Sequence, residues 1–185
     1  MYNINFYNNY LFLEKLNFLN LKFINYKKIN IIYDYNPQNI NYNELNKINV
    51  WCKKKRIKLY IIDNYKLAVK YKANGLYLTA KNKAPIYSKF FSNNFEIIGS
   101  AHSQIEFFFK VRQRCNLIML SPIFYNPKYS YNKILNIQKF NLISKNWKKN
   151  LCALGGVNLT TIRKIQCTKV QNIAYKRAIK NPPTN

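Results

Sequence analysis

The chain has 185 residues, of which 48% are hydrophobic and 16% aromatic, which suits one folded domain and excludes a wholly disordered chain. Its 31 Lys and Arg residues against 6 Asp and Glu residues give a net charge of +25, which attracts polyanions. Candidate partners are nucleic acid, an anionic membrane surface or a phosphorylated metabolite. A/T-rich codons also favour Lys, Asn, Ile and Tyr, so the charge alone selects no partner.

The cysteine pattern excludes two further classes of protein. The four cysteines are scattered and His102 is the single histidine, so neither a Cys-x-x-Cys zinc motif nor a disulfide framework is expected. No stretch approaches the roughly 18 apolar residues of a membrane span, and the N-terminus does not resemble a signal peptide. The sequence therefore predicts a cytoplasmic protein with buried thiols and no membrane partner.

Short apolar runs and helical spacing alternate along the chain. Strands are predicted at 9–13, 29–33, 58–62, 74–78, 95–99, 116–120, 150–154 and 170–175. Helices are predicted between several of them, at 43–54, 64–72, 103–115 and 159–166. Alternating strands and helices are typical of parallel β/α units, and eight strands favour a closed TIM (β/α)₈ barrel. We expect one domain over residues 1–185, shortened by a brief first helix and the absence of a final helix.

A glycine pair follows the seventh predicted strand in a chain that has only 4 glycines. Gly155 and Gly156 indicate a backbone that turns through positive φ or closely approaches another group. The next residues, Asn-Leu-Thr-Thr at 158–161, offer capping side chains for the helix predicted after them. The sequence thus predicts a strand, a glycine turn and a helix start in succession.

Five segments together resemble thiamine-phosphate synthase and its TenI-like relatives. They are LYIIDNYKLAVKYKANGLYL (59–78), IIGSAHS (97–103), LSPIFYNPKYS (120–130), ALGGVN (153–158) and NIAYKRAI (172–179). The resemblance implies a TIM barrel whose active site lies at the C-terminal ends of the strands. It also implies an enzyme that couples an aminomethyl-pyrimidine pyrophosphate to a thiazole phosphate and releases pyrophosphate. Its partners would be phosphorylated small molecules.

The resemblance further implies a Mg²⁺ site. Asp63 falls where the third strand of the family carries a magnesium-binding aspartate, and Asn82 falls where the family has the second carboxylate. From its position alone, Asp63 could instead cap the following helix. The pyrimidine-contacting Gln-x-Arg-x-Lys element of the family aligns with Ile32, Asp34 and Asn36, so none of its three side chains is kept. Asp34, also at a strand end, could replace a metal ligand.

The resemblance also implies a substrate pocket and a phosphate site. Ser100 and Tyr77 fall in segments that line the substrate pocket. The glycine turn matches the family's backbone N–H cradle for the thiazole phosphate. After strand six, Asn126, Lys128 and Tyr129 stand in place of the family's Thr-x-Thr-Lys. The two cations after strand eight either add charge to this pocket or are surface residues. The predicted phosphate-binding residues are Gly155, Gly156, Asn126, Lys128, Lys176 and Arg177.

His102 has two interpretations, a proton carrier beside Ser100 or a polar loop residue that bonds backbone. The thiazole tautomerase branch of the family carries a catalytic histidine where this chain has Pro122, which disfavours that activity. Three hypotheses for function follow. The protein is an active but divergent synthase, a degenerate relative that retains a phosphate pocket, or a non-catalytic basic barrel that binds nucleic acid or another polyanion by generic charge.

Overall fold

The computed structural model describes residues 8–16, 29–85, 94–125, 127, 130–148, 150–158 and 160–175. In these residues, eight parallel strands form a closed barrel in chain order, with β8 paired to β1. The strands are β1 (Asn8–Leu13), β2 (Ile29–Tyr33), β3 (Lys58–Ile62), β4 (Gly75–Leu78), β5 (Glu96–Ala101), β6 (Leu117–Leu120), β7 (Asn150–Leu154) and β8 (Asn172–Tyr175). The predicted fold class is confirmed, and each predicted strand lies within about two residues of its observed bounds.

Five α-helices lie in the described residues, on the outside of the barrel. They are α1 (Tyr42–Lys55), α2 (Tyr65–Lys70), α3 (Gln104–Arg112), α4 (Asn136–Ser144) and α5 (Ile162–Ile165). The sequence did not predict α4, at whose start the Asn136 side chain accepts from the Lys139 N–H at 2.9 Å. The predicted brief first helix and absent final helix fall largely on 17–28 and 176–185, outside the described residues.

Two layers of buried side chains build the core. Alternate strand residues face outward and pack under the helices, around residues such as Ile61, Phe107 and Phe140. The other strand residues fill the barrel interior, which is therefore packed and is no open pore. These interior residues are Tyr10, Phe12, Ile32, Tyr60, Tyr77, Ile98, Leu117, Met119, Cys152 and Ala174.

A side-chain cap recurs at every second strand from β3 onward. The caps are the side chains of the residues just before β4, β6 and β8. Each side-chain oxygen accepts a hydrogen bond from a backbone N–H near the start of the neighbouring strand, β3, β5 or β7 respectively. The pairs are Asn74 with Leu59 (2.9 Å), Asn116 with Ile97 (2.8 Å) and Gln171 with Leu151 (3.3 Å). These caps satisfy the N–H groups at the N-terminal end of the barrel, where the strand ladder begins.

All four cysteines lie in the described residues, and none forms a disulfide. Cys52, Cys115 and Cys152 are buried, as the sequence predicted. Cys167 is exposed because it follows the short helix α5 on the outer surface, so the prediction of a buried thiol is wrong there. No helix in the described part of the chain is both long enough and apolar enough to cross a membrane.

Candidate active site

The barrel brings several predicted site residues to one end. Because the strands are parallel, all their C-terminal ends meet at the same mouth. Asp63 follows β3 and Gly155 follows β7, and these two strands lie opposite each other in the eight-stranded ring. The predicted metal residues and the predicted phosphate turn therefore face each other across the mouth.

The Asp63 carboxylate accepts three hydrogen bonds from the segment that follows β4. The Thr79 backbone N–H (3.1 Å) and the Asn82 side-chain amide (2.7 Å) donate to Oδ1, and the Thr79 hydroxyl donates to Oδ2. Asp63 has φ of 46°, a left-handed conformation that aspartate tolerates better than most residues. Asn64, one residue later, caps α2 by accepting from the Leu67 N–H at 2.9 Å. The interpretation of Asp63 as the helix cap is thus wrong.

The Asn82 side chain lies beside Asp63, but its nitrogen faces the carboxylate. Its Oδ1 accepts from the Ala84 backbone N–H at 3.1 Å, and because an N–H can only donate, that atom must be the oxygen. The remaining amide nitrogen therefore faces Asp63. A Mg²⁺ ion requires oxygen ligands, so this pair does not fit a magnesium site as it stands. The described residues contain no group of three or more His, Cys, Asp or Glu side chains that could hold a metal ion, with Asp34 or without it.

Lys110 on α3 is the unexpected member of the site. It is 0% exposed, and its ammonium donates to the backbone oxygens of Thr79 (2.7 Å) and Asn82 (2.6 Å) and to Gln113 Oε1 (2.9 Å). Gln113 in turn donates to the Asn82 and Ala84 carbonyls. The segment 79–84 is therefore held from below by α3 and bonded to Asp63.

Burial lowers the pKa of Lys110, and negative charge on Cys115, Asp63 and Glu106 opposes that shift. Lys110 is not among the site residues predicted from the sequence. The available signal was its position three residues after Phe107, on the buried side of the helix. Phe107 is indeed buried, whereas Phe108 is 56% exposed.

Tyr77 and Ser100 meet inside the barrel, below the mouth. Both are buried, and the Ser100 hydroxyl donates to the Leu78 carbonyl at 3.4 Å. Tyr77 is the last residue but one of β4 and so lies close to the mouth. Burial raises the pKa of Tyr77, Ser100 opposes that shift, and negative charge on Cys152, Asp34 and Asp63 adds to it. The Phe12 ring meets the Tyr77 ring edge-on, with centroids 5.2 Å apart. These side chains form the upper part of the buried barrel interior, beneath the mouth.

The glycine pair adopts the predicted positive φ, with 86° at Gly155 and 71° at Gly156. Both residues also approach the loop that follows β6. A Cβ on Gly155 would lie 2.8 Å from Pro122 Cβ, and one on Gly156 would lie 2.6 Å from the Tyr125 backbone oxygen. Internal packing thus requires both glycines whether or not a phosphate binds.

Thr161, the N-cap residue of α5, makes no side-chain capping hydrogen bond, so the predicted cap is not formed there. The Asn158 side chain instead closes the turn that precedes the helix. Its Oδ1 accepts from the Thr160 N–H (3.0 Å), the Thr160 hydroxyl (2.7 Å) and the Thr161 N–H (3.0 Å). These donors are therefore used within the protein. The other predicted phosphate residues, Asn126, Lys128, Lys176 and Arg177, lie outside the described residues.

His102 bonds backbone, which supports the second of its two interpretations. Its Nδ1 lies 2.7 Å from the Ser121 carbonyl oxygen, so this nitrogen carries the proton and donates. The His102 backbone N–H donates to the Glu106 carboxylate at 2.6 Å. Ser103 caps α3 by accepting from the Glu106 N–H at 3.3 Å. The Ser-x-x-Glu spacing at 103–106 is a capping signature that is visible in the sequence.

The fold and the position of these residues define a parallel β/α barrel with a candidate site at the C-terminal ends of its strands. A family model described as thiamine monophosphate synthase matches residues 34–179. The chain belongs to the thiamine monophosphate synthase family.

Solved structures agree with this assignment at the level of fold. A thiamine phosphate pyrophosphorylase from Pyrococcus furiosus is similar at TM-score 0.69 and 17% identity, over 96% of this chain and 90% of that one. Its counterpart from Bacteroides thetaiotaomicron is similar at TM-score 0.61 and 12% identity, over 92% of this chain and 82% of that one. Citrate synthase SbnG is similar at TM-score 0.66 and 12% identity, over 94% of this chain and 87% of that one. A search of curated proteins finds no significant match.

Proposed function

We propose that this protein acts in thiamine synthesis as a thiamine-phosphate synthase type transferase. Its substrates would be an aminomethyl-pyrimidine pyrophosphate and a thiazole phosphate. The observation that supports this most is the family match over residues 34–179, in a barrel that has Asp63 and the Gly155–Gly156 turn across one mouth. The positive net charge of +25 suits substrates that carry several phosphate charges.

The proposed reaction requires little proton transfer. The bond between the pyrimidine methylene carbon and the pyrophosphate oxygen breaks, and pyrophosphate leaves with the electron pair. The thiazole nitrogen then donates its lone pair to the methylene carbon and forms the new C–N bond. Catalysis consists mainly of positioning the two substrates and stabilising the leaving pyrophosphate with N–H groups and cations. A site without a histidine base is compatible with such chemistry.

The described residues suggest how the substrates would be arranged. The N–H groups of the glycine turn after β7 would bind the thiazole phosphate. The pyrimidine would lie above the Tyr77 and Ser100 side chains, which can hydrogen-bond a polar ring edge. Asp63 would position the segment 79–84 at the rim through its three hydrogen bonds. We assign no step to Mg²⁺, because the Asp63–Asn82 pair does not offer it a suitable set of oxygen ligands.

An assay with both substrates and magnesium chloride tests the proposal, with thiamine phosphate detected by mass spectrometry. We expect product from the unmodified protein and none from Asp63→Ala, since that change removes the three hydrogen bonds that orient the segment 79–84 toward the mouth. Lys139→Ala, on the exposed surface of α4, is the control and should leave the rate unchanged. The absence of product above background from the folded, unmodified protein would refute the active synthase. Calorimetric titration with thiazole phosphate would then test the degenerate relative with a retained phosphate pocket.

A further inference from the structure

The Asp63 carboxylate and the Lys110 ammonium lie on opposite sides of the same short segment, residues 79–84. We propose that Lys110 is a positioning residue, and that its ammonium is the cation that holds this site in place of a metal ion. It fixes the segment beneath Asp63, so the Asp63–Asn82 pair is closed by hydrogen bonds and takes no divalent cation in the free protein. This inference concerns the state of the pair and does not depend on the proposed reaction.

All three hydrogen-bond donors of the Lys110 ammonium are used at this position. A lysine ammonium has three donors, and the structure supplies three acceptors at 2.6–2.9 Å: two backbone carbonyls and the Gln113 side chain. A buried ammonium is costly unless its donors are all satisfied. The contacts therefore determine where the lysine lies, and they equally determine where the two carbonyls lie.

Thr79 and Asn82 connect the two charges directly. The Thr79 N–H donates to Asp63 while its carbonyl accepts from Lys110. Asn82 does the same with its side-chain amide and its carbonyl. Each residue thus presents a donor to the negative group and an acceptor to the positive group, so the two sets of hydrogen bonds strengthen one another.

A divalent cation would have to break this arrangement. It would displace the Asn82 amide nitrogen from Asp63, and it would find one carboxylate where magnesium sites usually offer more oxygen ligands. The Lys110 charge beneath the segment would also repel it. The cation is thus opposed by both the donor set and the local charge.

Gly99 provides the space that the buried lysine requires. A Cβ at this position would lie 2.7 Å from Lys110 Cδ and 2.7 Å from Cys115 Sγ. The lysine stem therefore passes across the bare backbone of β5 to reach the segment 79–84. Any larger residue at position 99 would displace Lys110 from its acceptors.

Manganese binding measured by electron paramagnetic resonance tests the closed state, with thermal melting in the presence and absence of magnesium as a second measurement. The unmodified protein should bind no Mn²⁺ at millimolar concentration, and its melting temperature should not respond to magnesium. Asn82→Asp replaces the amide donor with a carboxylate oxygen. This variant should bind Mn²⁺ at least about tenfold more tightly than the unmodified protein and should melt higher with magnesium.

The role of Lys110 is tested with Lys110→Met, which keeps the stem and removes the ammonium. We expect its melting temperature to fall by about 5 °C or more, because three hydrogen bonds from a charged donor are lost. Within the described residues, the Thr79 carbonyl then keeps only the Asn82 N–H, and the Asn82 carbonyl keeps only Gln113. Arg112→Met, an exposed position on the same helix, is the matched control and should change melting little. Adding Lys110→Met to Asn82→Asp should tighten Mn²⁺ binding further.

Two results would overturn the inference. One is an Mn²⁺ ion bound by the unmodified protein and lost in Asp63→Ala. The other is Lys110→Met that melts like Arg112→Met. If Lys110→Met does not fold, the unmodified protein and Asn82→Asp still decide whether the pair is closed. Because these measurements use no substrate, a failed synthase assay would leave their outcome unaffected.

Discussion

Gly156→Ala is the obvious change for testing the proposed phosphate turn, and the structure predicts that it will first cost stability. Gly156 has φ of 71°, where an alanine is disfavoured by about 1–2 kcal/mol. Its Cβ would also lie 2.6 Å from the Tyr125 oxygen and 2.7 Å from the Phe124 oxygen. Overlap with backbone that cannot move freely adds about 1–3 kcal/mol, so we expect a total loss of about 2–5 kcal/mol.

Urea unfolding followed by tryptophan fluorescence measures this loss, since Trp51 is buried and reports on the core. In a thermal melt the same loss corresponds to a decrease on the order of 4–20 °C. Thr160→Ala, a few residues later, is the control and should cost at most about 1 kcal/mol, because it removes one exposed hydroxyl bond. A loss below about 1 kcal/mol for Gly156→Ala would refute the packing argument. Ligand affinity of this variant is meaningful only at temperatures where it remains folded.

Two further predictions concern the thiols and the strand caps. Ellman's reagent should react rapidly with one thiol per native chain, Cys167, and with all four after unfolding. The other three thiols are buried, and burial raises the pKa of Cys52 to about 12 and also raises the pKa of Cys152. Rapid reaction of two or more thiols in the native protein would contradict the burial pattern. Asn116→Leu removes the acceptor of the Ile97 N–H and should lower the free energy of unfolding by about 1–2 kcal/mol, measured in urea. If the exposed control Asn132→Leu loses as much, the cap contributes nothing specific.

The local pattern of the sequence predicted most of the barrel. Strands buried on both faces leave continuous apolar runs, and all eight runs became strands. The helix α4 was missed although its sequence carries a boundary signal, since Asn136 accepts from the Lys139 N–H at 2.9 Å as a capping asparagine does. The prediction of positive φ at Gly155 and Gly156 also came from local chemistry, since glycine alone adopts that conformation freely.

The sequence predicted where the residues of the candidate site lie, but it did not predict the hydrogen bonds between them. Asp63 and Asn82 do lie together, as the resemblance implied. Which end of the Asn82 amide faces Asp63 depends on the Ala84 N–H, which takes the oxygen. Loop geometry of this kind follows from the folded backbone, and residue identity alone does not specify it.

The sequence by itself thus determined the class of this protein: a parallel β/α barrel of the thiamine monophosphate synthase family with a glycine turn after β7. The tertiary structure decided what holds the mouth together. Lys110 and Thr79 are 31 residues apart, and the pairing of β4 with β5 and the packing of α3 on β5 bring the ammonium under the segment after β4. Apolar periodicity is a local property that survives in the sequence, whereas hydrogen bonds between distant polar groups exist only once the chain has folded.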